Sequence, residues 1–481
     1  MLRAAVSRAV QLLSTSPGPQ PIRNIEPKFT KLFINNEWTD SSRNTTIGTF
    51  NPANGRLIAE VEEADWRDVD KAVKAANDAL QPGSPWRCID GAQRGKLLHK
   101  LADLMERDKT ILASLESLDN GKPFTTAYEF DLTLSIDCLR HYANMAAEMH
   151  GSTINERKPV AVCGHVIPWT APLIVQTWTV APTLAAGDTV VIKLPPQTPL
   201  SGLHVASLIK EADFPAGVVN VVVGYAATAG RALCSHRSIK KFEASTTGTM
   251  CRPTKRRPSL EPTQRSPNIV FADANLDDAI QQTHYGMFFK DGHCYSAGTR
   301  TFVQAKIYDE FVDRSREHAE RRIIGDPFEP STEQGPQIDG YQVKKILRHV
   351  ERGKREGAQL ITGGKKWGDR GHYVLPTVLA EVDESTTLAR EEVIGPIMKV
   401  IRFETMEDLL QKTSVKHNFL PTAIMTRDAD KVNHIAKKLR HGAIWNRWCH
   451  VHNGFNIIHK LDTFKTRNSI KIDIFLLCTR H

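Results

Sequence analysis

Residues 188–200 read DTVVIKLPPQTPL, and this stretch decides the architecture. Thr189, Val190, Val191 and Ile192 form a β-branched run, which suits a buried strand. Pro195 and Pro196 end that strand, and the segment through Leu200 leads into a helix. The same alternation lies on both sides. PVAVCG (159–164) reads as a short strand, with a helix after PWTAPL. GVVNVVV (217–223) is another strand, followed by the turn GYAATAG and a helix, and SIKKFEAS (238–245) is a fourth. Strands separated by helices imply βαβ units and a parallel sheet. Such sheets bind ligands beyond the carboxyl ends of their strands, so the loops after Gly164, Leu194, Val223 and Ser245 matter most.

Upstream the pattern is helical. In ADWRDVDKAVKAANDAL (64–80), Val69, Ala72, Val73, Ala76 and Leu80 fall on one stripe. A second helix is expected over 92–117, with Leu97, Leu98, Leu101, Leu104 and Met105 inward and DNGKP (119–123) as its stop. A third is expected over 127–149. Alternation resumes near 267. SPNIVFADANLDDAI reads as strand then helix, RTFVQAKIYDEFVDRSREHAE as another such unit, and YVLPTVLAEV, EEVIGPIMKVIRF and TAIMTRD as further strands. This is a second α/β domain.

A chain of 481 residues exceeds one small core, and 41% hydrophobic with 24% charged residues fits a soluble globular class. The +9 net charge is concentrated at three places. Residues 1–25 hold Arg3, Arg8 and Arg23 and no acid; residues 252–265 hold five cations against Glu261; residues 456–481 hold five against Asp462 and Asp473. What remains is about −1, so no nucleic-acid partner is expected; no run reaches the roughly 18 apolar residues that a membrane span needs, and no membrane partner is expected either. The run around Arg256 reads as a solvated loop, with an anion site as the alternative. Eight cysteines are scattered without CxxC or zinc spacing, which points to no metal and to a reducing interior. MLRAAVSRAVQLLSTSPGPQP has spaced arginines among Ala, Leu and Val, the composition of a mitochondrial transit peptide; a frayed terminus is the alternative.

Many ordered segments carry a resemblance. They include FINNEW (33–38), GSPWR (83–87), LDNGKP (118–123), CGHVIPW (163–169), LIKEADFPAGVVN (208–220), SPNI (266–269), AGTRTFVQ (297–304), TEQGPQ (332–337) and EEVIGP (391–396). Over about residues 30–445 the chain resembles the NAD(P)-dependent aldehyde dehydrogenase superfamily, nearest its mitochondrial and cytosolic tetrameric classes. The resemblance implies an α/β fold with a Rossmann-like NAD-binding domain (29–150 and 163–261) and an α/β catalytic domain (262–446). It also implies a shortened oligomerisation arm at 151–162 and a divergent tail at 447–481. The family reaction oxidises an aldehyde to a carboxylate through a cysteine thiolate, a hydride acceptor, an oxyanion donor and a general base.

Residue by residue, the resemblance makes Ile167, Trp169, Lys193, Gln342 and Glu392 contacts to NAD. Pro196 stands where close relatives have a ribose-binding glutamate. The family's glycine-framed pyrophosphate turn aligns with TTGTMC (246–251), whose framing positions are Thr246 and Cys251. Glu261 matches the general base, but Pro262, Thr263, Gln264 and Arg265 replace the family's Leu-Gly-Gly-Lys, so an exposed structural role stays open. Thr170 holds the oxyanion position, where the family has asparagine. In FFKDGHCYSAGTR (288–300), the nucleophile belongs three residues after Gly292, which is Tyr295; Cys294 is the adjacent thiol. A phenol of pKa about 10 is only about 0.1% ionised at neutral pH. The expectation is impaired dehydrogenase activity on an aldehyde, in a mitochondrial matrix or cytoplasmic protein able to form homo- or hetero-oligomers. A catalytically inactive relative acting through partner binding is the alternative.

Overall fold

The hairpin of β1 (Leu32–Ile34) and β2 (Glu37–Thr39) turns on Asn35 and Asn36, both left-handed, a conformation that short amide side chains tolerate. The structure is a computed structural model that describes residues 19–148, 162–244, 259–260, 266–294, 297–391, 393–413, 422–438, 444–447 and 456–457. β3 (Thr46–Phe50) and β4 (Leu57–Glu62) form a separate antiparallel ribbon. Next comes α1 (Trp66–Asp78), whose stripe of Val69, Ala72, Val73 and Ala76 is fully buried and whose start is a capping box on Asp65 and Asp68.

The single helix expected over 92–117 is two, α2 (Gly91–Arg107) and α3 (Lys109–Asn120). Asp108 breaks it with non-helical dihedrals (φ −92°, ψ 16°), and its carboxylate takes hydrogen bonds from Arg107 and from His204 at 2.9 Å. The stop is as read: Gly121 ends α3 in the left-handed region at φ 86°. The third helix begins with a π-turn over Ala127–Asp131 before α4 (Leu132–Glu148).

The strand expected at 159–164 is described from Val162 as β5 (Val162–Val166); it runs two residues past Gly164, with Val162 paired to Thr189 of the next strand, and residues 159–161 lie outside the described residues. α5 (Pro172–Ala185), β6 (Thr189–Leu194), α6 (Leu200–Glu211), β7 (Val219–Val223), β8 (Ile239–Ala244) and β9 (Ser259–Leu260) complete this half. Its sheet has the order β2-β1-β7-β6-β5-β8-β9 and is parallel from β7 to β9. β5, β6 and β7 are buried at every position, as a sheet covered on both faces requires.

The second half holds β10 (Pro267–Val270), α7 (Leu276–Phe288), β11 (Arg300–Gln304), α8 (Tyr308–Arg321), α9 (Gly340–Arg355), β12 (Gln359–Thr362), β13 (Thr377–Ala380), β14 (Ile397–Phe403), β15 (Thr422–Met425), β16 (Ile444–Arg447) and β17 (Asn456–Ile457). Its sheet runs β12-β13-β14-β11-β10-β15-β16-β17. Successive residues feed different cores. Ile269, Phe302 and Leu379 join one hydrophobic cluster, while their neighbours Val270, Val303 and Val378 join another. Residues 151–161 of the expected oligomerisation arm, and the tail from 448 onward apart from β17, lie outside the described residues. Cys234 is disulfide-bonded, which departs from the reduced-thiol expectation, whereas Cys88, Cys138 and Cys163 are unbridged.

Candidate active site

The carboxyl ends of β5, β6 and β7 bring the first set of residues together. Lys193, at the end of β6, is buried, and its ammonium donates to the Gly224 carbonyl after β7 at 3.2 Å. Among the described residues no carboxylate reaches it within ion-pair distance, and burial alone pushes the ammonium down to about 8. Ile167 is buried and its N–H donates to the Lys193 carbonyl at 3.0 Å, which ties the loop after β5 to β6. Trp169 follows, half-buried, with its carbonyl held by Asn120 Nδ2 at 2.6 Å. Thr170 is buried just before α5.

Lys193 has three N–H donors and spends one on Gly224, so two remain for acceptors in the crevice. This donor set fits the hydroxyls of a dinucleotide ribose. Pro196 is buried in the turn after β6 and offers neither charge nor donor. Gln342 lies in the first turn of α9, where its N–H is held by Asp339 at 2.7 Å; its side-chain amide donates to the Ile394 carbonyl.

The loop after α7 is the second set. Phe289 is extended, and then Lys290 (φ 51°), Asp291 (φ 59°) and Gly292 (φ 74°) are all left-handed. Only glycine takes this conformation freely; each non-glycine residue held there costs about 1–3 kcal/mol. Gly292 is required for another reason: a Cβ there would lie 2.3 Å from the Gly395 backbone. Side chains hold the two strained residues. Lys290 is buried, ion-paired to Asp131, with its ammonium 4.7 Å from the Phe130 ring centre. Asp131 also binds Lys122 at 2.7 Å, and Lys122 binds Glu116 at 2.7 Å. The Asp291 carboxylate accepts from the Gly335 N–H at 2.6 Å, while its second oxygen is buried with no hydrogen-bond partner among the described residues. Burial pushes this acid up to about 7.

His293 comes next and is fully buried. Gln337 donates through Nε2 to the Asp291 carbonyl, so its Oε1 faces His293 Nε2 at 2.9 Å. That assigns the imidazole proton to Nε2 and leaves Nδ1 as a buried acceptor with no partner among the described residues. Burial lowers His293 to about 4, so the ring is neutral at physiological pH. Its edge packs on Trp169 at 4.9 Å between centroids. The loop is therefore fastened to the first half by Lys290 and His293, and to the second by Asp291 and Gln337. Cys294 ends this fastened segment half-buried, its carbonyl accepting from Ala297 at 3.0 Å.

Ile167, Trp169, Thr170, Lys193, Gln342 and Cys294 thus have described positions. Glu261, Tyr295, Glu392 and the turn at 246–251 lie outside the described residues. The anchoring side chains Lys122, Glu116, Asp131, Lys290, Asp291 and His293 are absent from the sequence reading, since nothing in a polar loop or helix marks a residue as buried. Among the described residues no group of three or more His, Cys, Asp or Glu side chains could hold a metal.

Residues 38–455 match the profile of the Aldehyde dehydrogenase family. The chain belongs to that family. The mitochondrial aldehyde dehydrogenases of Rattus norvegicus and Homo sapiens are each 45% identical to it, covering 92% of this chain and 91% of their own length. Retinal dehydrogenase 2 of Rattus norvegicus is 46% identical, covering 92% of this chain and 88% of its own. The NAD+ complex of an aldehyde dehydrogenase from Bacillus cereus superposes with a TM-score of 0.83 at 35% identity, covering 91% of this chain and 92% of that one. Aldehyde dehydrogenase ancestry accounts for the fold.

Proposed function

We propose that this aldehyde dehydrogenase family member is an NAD-linked protein whose oxidation of aldehydes is impaired because Tyr295 occupies the nucleophile position. The observation that carries the reading is the residue order Gly292–His293–Cys294–Tyr295 on a loop otherwise anchored at each preceding position. The anchors argue that the loop's register is kept, so the position after Cys294 is the one the family gives its thiolate. Removing a nucleophile that works within a catalytic unit costs on the order of 10⁶ in rate.

NAD, when bound, supplies the hydride acceptor. Lys193 would hold it through its two spare donors, and Ile167, Trp169, Gln342 and Glu392 are the further contacts that the family resemblance gives it. Thr170 would donate to the developing oxyanion, and a donor of this kind is worth about 10²–10³ in rate. Glu261 would take a proton from the attacking water. Cys294 sits one residue short of the reacting position, and adjacent side chains of a loop diverge.

The domain division follows the same reading: residues 29–150 and 163–261 for the cofactor, 151–162 for the arm, 262–446 for catalysis, with 447–481 a replaced tail. A mitochondrial matrix location is supported by the composition of residues 1–25 and by the names of the relatives.

The test uses the full chain and its Tyr295→Cys variant with aldehyde and NAD+, following NADH absorbance. The expected result is little NADH from the natural protein and a large gain from the variant. Robust turnover by the natural protein, abolished by alkylation at Cys294, overturns the reading. Saturable NAD+ binding with no gain in the variant favours an inactive relative that acts through partners.

A further inference from the structure

The near-neutral body of the chain conceals one strongly charged surface. α9 reads GYQVKKILRHVERGKR and has a sharply two-sided character. Gln342, Val343, Ile346, His349, Val350 and Gly353 are buried against the second half's core. Tyr341, Lys344, Lys345, Arg348, Arg352 and Arg355 are all exposed. At about 100° per residue these six positions fall within a single arc of about 100°. They extend along the helix for about 20 Å. Glu351, at the margin of the arc, is paired with Lys354. Arg352 is paired with Glu356 and Glu391. Among the described residues, Lys344, Lys345, Arg348 and Arg355 have no carboxylate in ion-pair reach. Four such cations on one helix face repel each other and gain from any anionic surface laid along them.

The flanks say which kind of surface. Tyr341, at the first turn, is 75% exposed. A Cβ on neighbouring Gly340 would lie 3.7 Å from the His372 ring, so the segment at the end of the loop 365–370 reaches the start of α9; that loop carries Lys365, Lys366, Trp367 and Arg370 with one acid, Asp369. All four of those residues are exposed, and Trp367 leaves 40% of its surface to solvent although its ring packs on Tyr373. Cations interspersed with exposed Tyr and Trp suit the boundary between lipid headgroups and water, where the ring inserts and the ammonium meets phosphate. The six exposed positions of α9 line one side of a helix backed by a folded core, and a bilayer surface can lie along them. Among the described residues no helix is long and apolar enough to cross a membrane, so the contact is peripheral.

We propose that the exposed face of α9, with the loop at 365–370, docks this protein on anionic phospholipid membranes. This modifies the expectation of no membrane partner, which rested on the lack of a spanning apolar run: a surface contact needs no such run, and the near-neutral charge sum hides a local arc.

The experiment is co-sedimentation of the full chain with vesicles of phosphatidylcholine alone and of phosphatidylcholine with phosphatidylglycerol, at low and high salt. Binding is expected only to the anionic vesicles and only at low salt. Each cation at a bilayer surface contributes about 1 kcal/mol, so the triple variant K344E/K345E/R348E is expected to bind on the order of 100-fold more weakly. The control K74E/K96E/K306E changes net charge equally but at exposed lysines elsewhere, and is expected to bind as the natural protein does. Circular dichroism of both variants checks that they are folded. The proposal is overturned if anionic vesicles do not bind, if both triples weaken binding equally, or if the α9 triple binds normally. It is equally overturned if duplex DNA competes the protein off the vesicles and shows tighter, α9-dependent binding at the same salt.

Discussion

Replacing Asp291 by asparagine should make the protein more stable, and by an amount that depends on pH. The carboxyl is fully buried, with one oxygen on the Gly335 N–H at 2.6 Å and the other unpartnered among the described residues. Burial raises its pKa from 3.8 to about 7, against weaker opposing pulls from Arg322 and Lys122. The sign follows from linkage. Below pH 3.8 the acid is protonated in both states and its contribution to stability is intact. Between 3.8 and about 7 the unfolded chain ionises while the folded one stays neutral, so stability falls as pH rises through this window. At about 1.4 kcal/mol per unit over roughly three units, the loss approaches 4 kcal/mol and is complete above pH 7. An asparagine keeps the shape and the acceptor for Gly335 but does not ionise in either state. The gain of Asp291→Asn over the natural protein should therefore be near zero at pH 4 and grow to about 4 kcal/mol at pH 8. Urea unfolding followed by tryptophan fluorescence at each pH measures it, and all other titrations cancel in the difference. A difference that stays flat with pH would refute the argument that this acid is folded in its neutral form.

Three other outcomes can be checked. Lys290→Met leaves Asp131 short of one ammonium and the left-handed turn without its anchor, so it should lower stability by about 3 kcal/mol, with Lys290→Arg milder, in thermal unfolding. Gly292→Ala forces a Cβ against Gly395 at φ 74°; it should change the alkylation rate of Cys294 several-fold even where the protein stays folded, read by mass spectrometry. Lys193→Met removes the spare donors of the crevice and should weaken NAD+ binding about tenfold by calorimetry, with circular dichroism unchanged.

Some of this was legible in the residues and some was not, for physical reasons. β6 and β7 announce themselves because a strand buried on both faces is mostly apolar and prefers β-branched side chains, as Val190–Ile192 and Val221–Val223 are. The break between α2 and α3 is invisible, since the apolar period passes through it from Met105 to Leu112 and Asp108 bends the chain through a distant partner, His204. Glycine advertises a left-handed turn, but Lys290 and Asp291 adopt one under tertiary compulsion that no local propensity encodes. Lys122, Glu116 and Asp131 look like surface residues by type, and only the packed structure reveals them with no exposure at all. On α9 each cation is plain in the sequence, yet a chain-wide sum cancels what the helix period gathers onto one side.

The ion cluster beneath the loop has a consequence for cutting the chain in two. Glu116, Asp131 and Lys122 belong to the first half, and on their own they would leave one surplus negative charge sealed from water; Lys290 of the second half completes neutrality. Neither half is then an autonomous unit, and a protease nick between them should yield fragments that remain clasped together rather than two separable pieces.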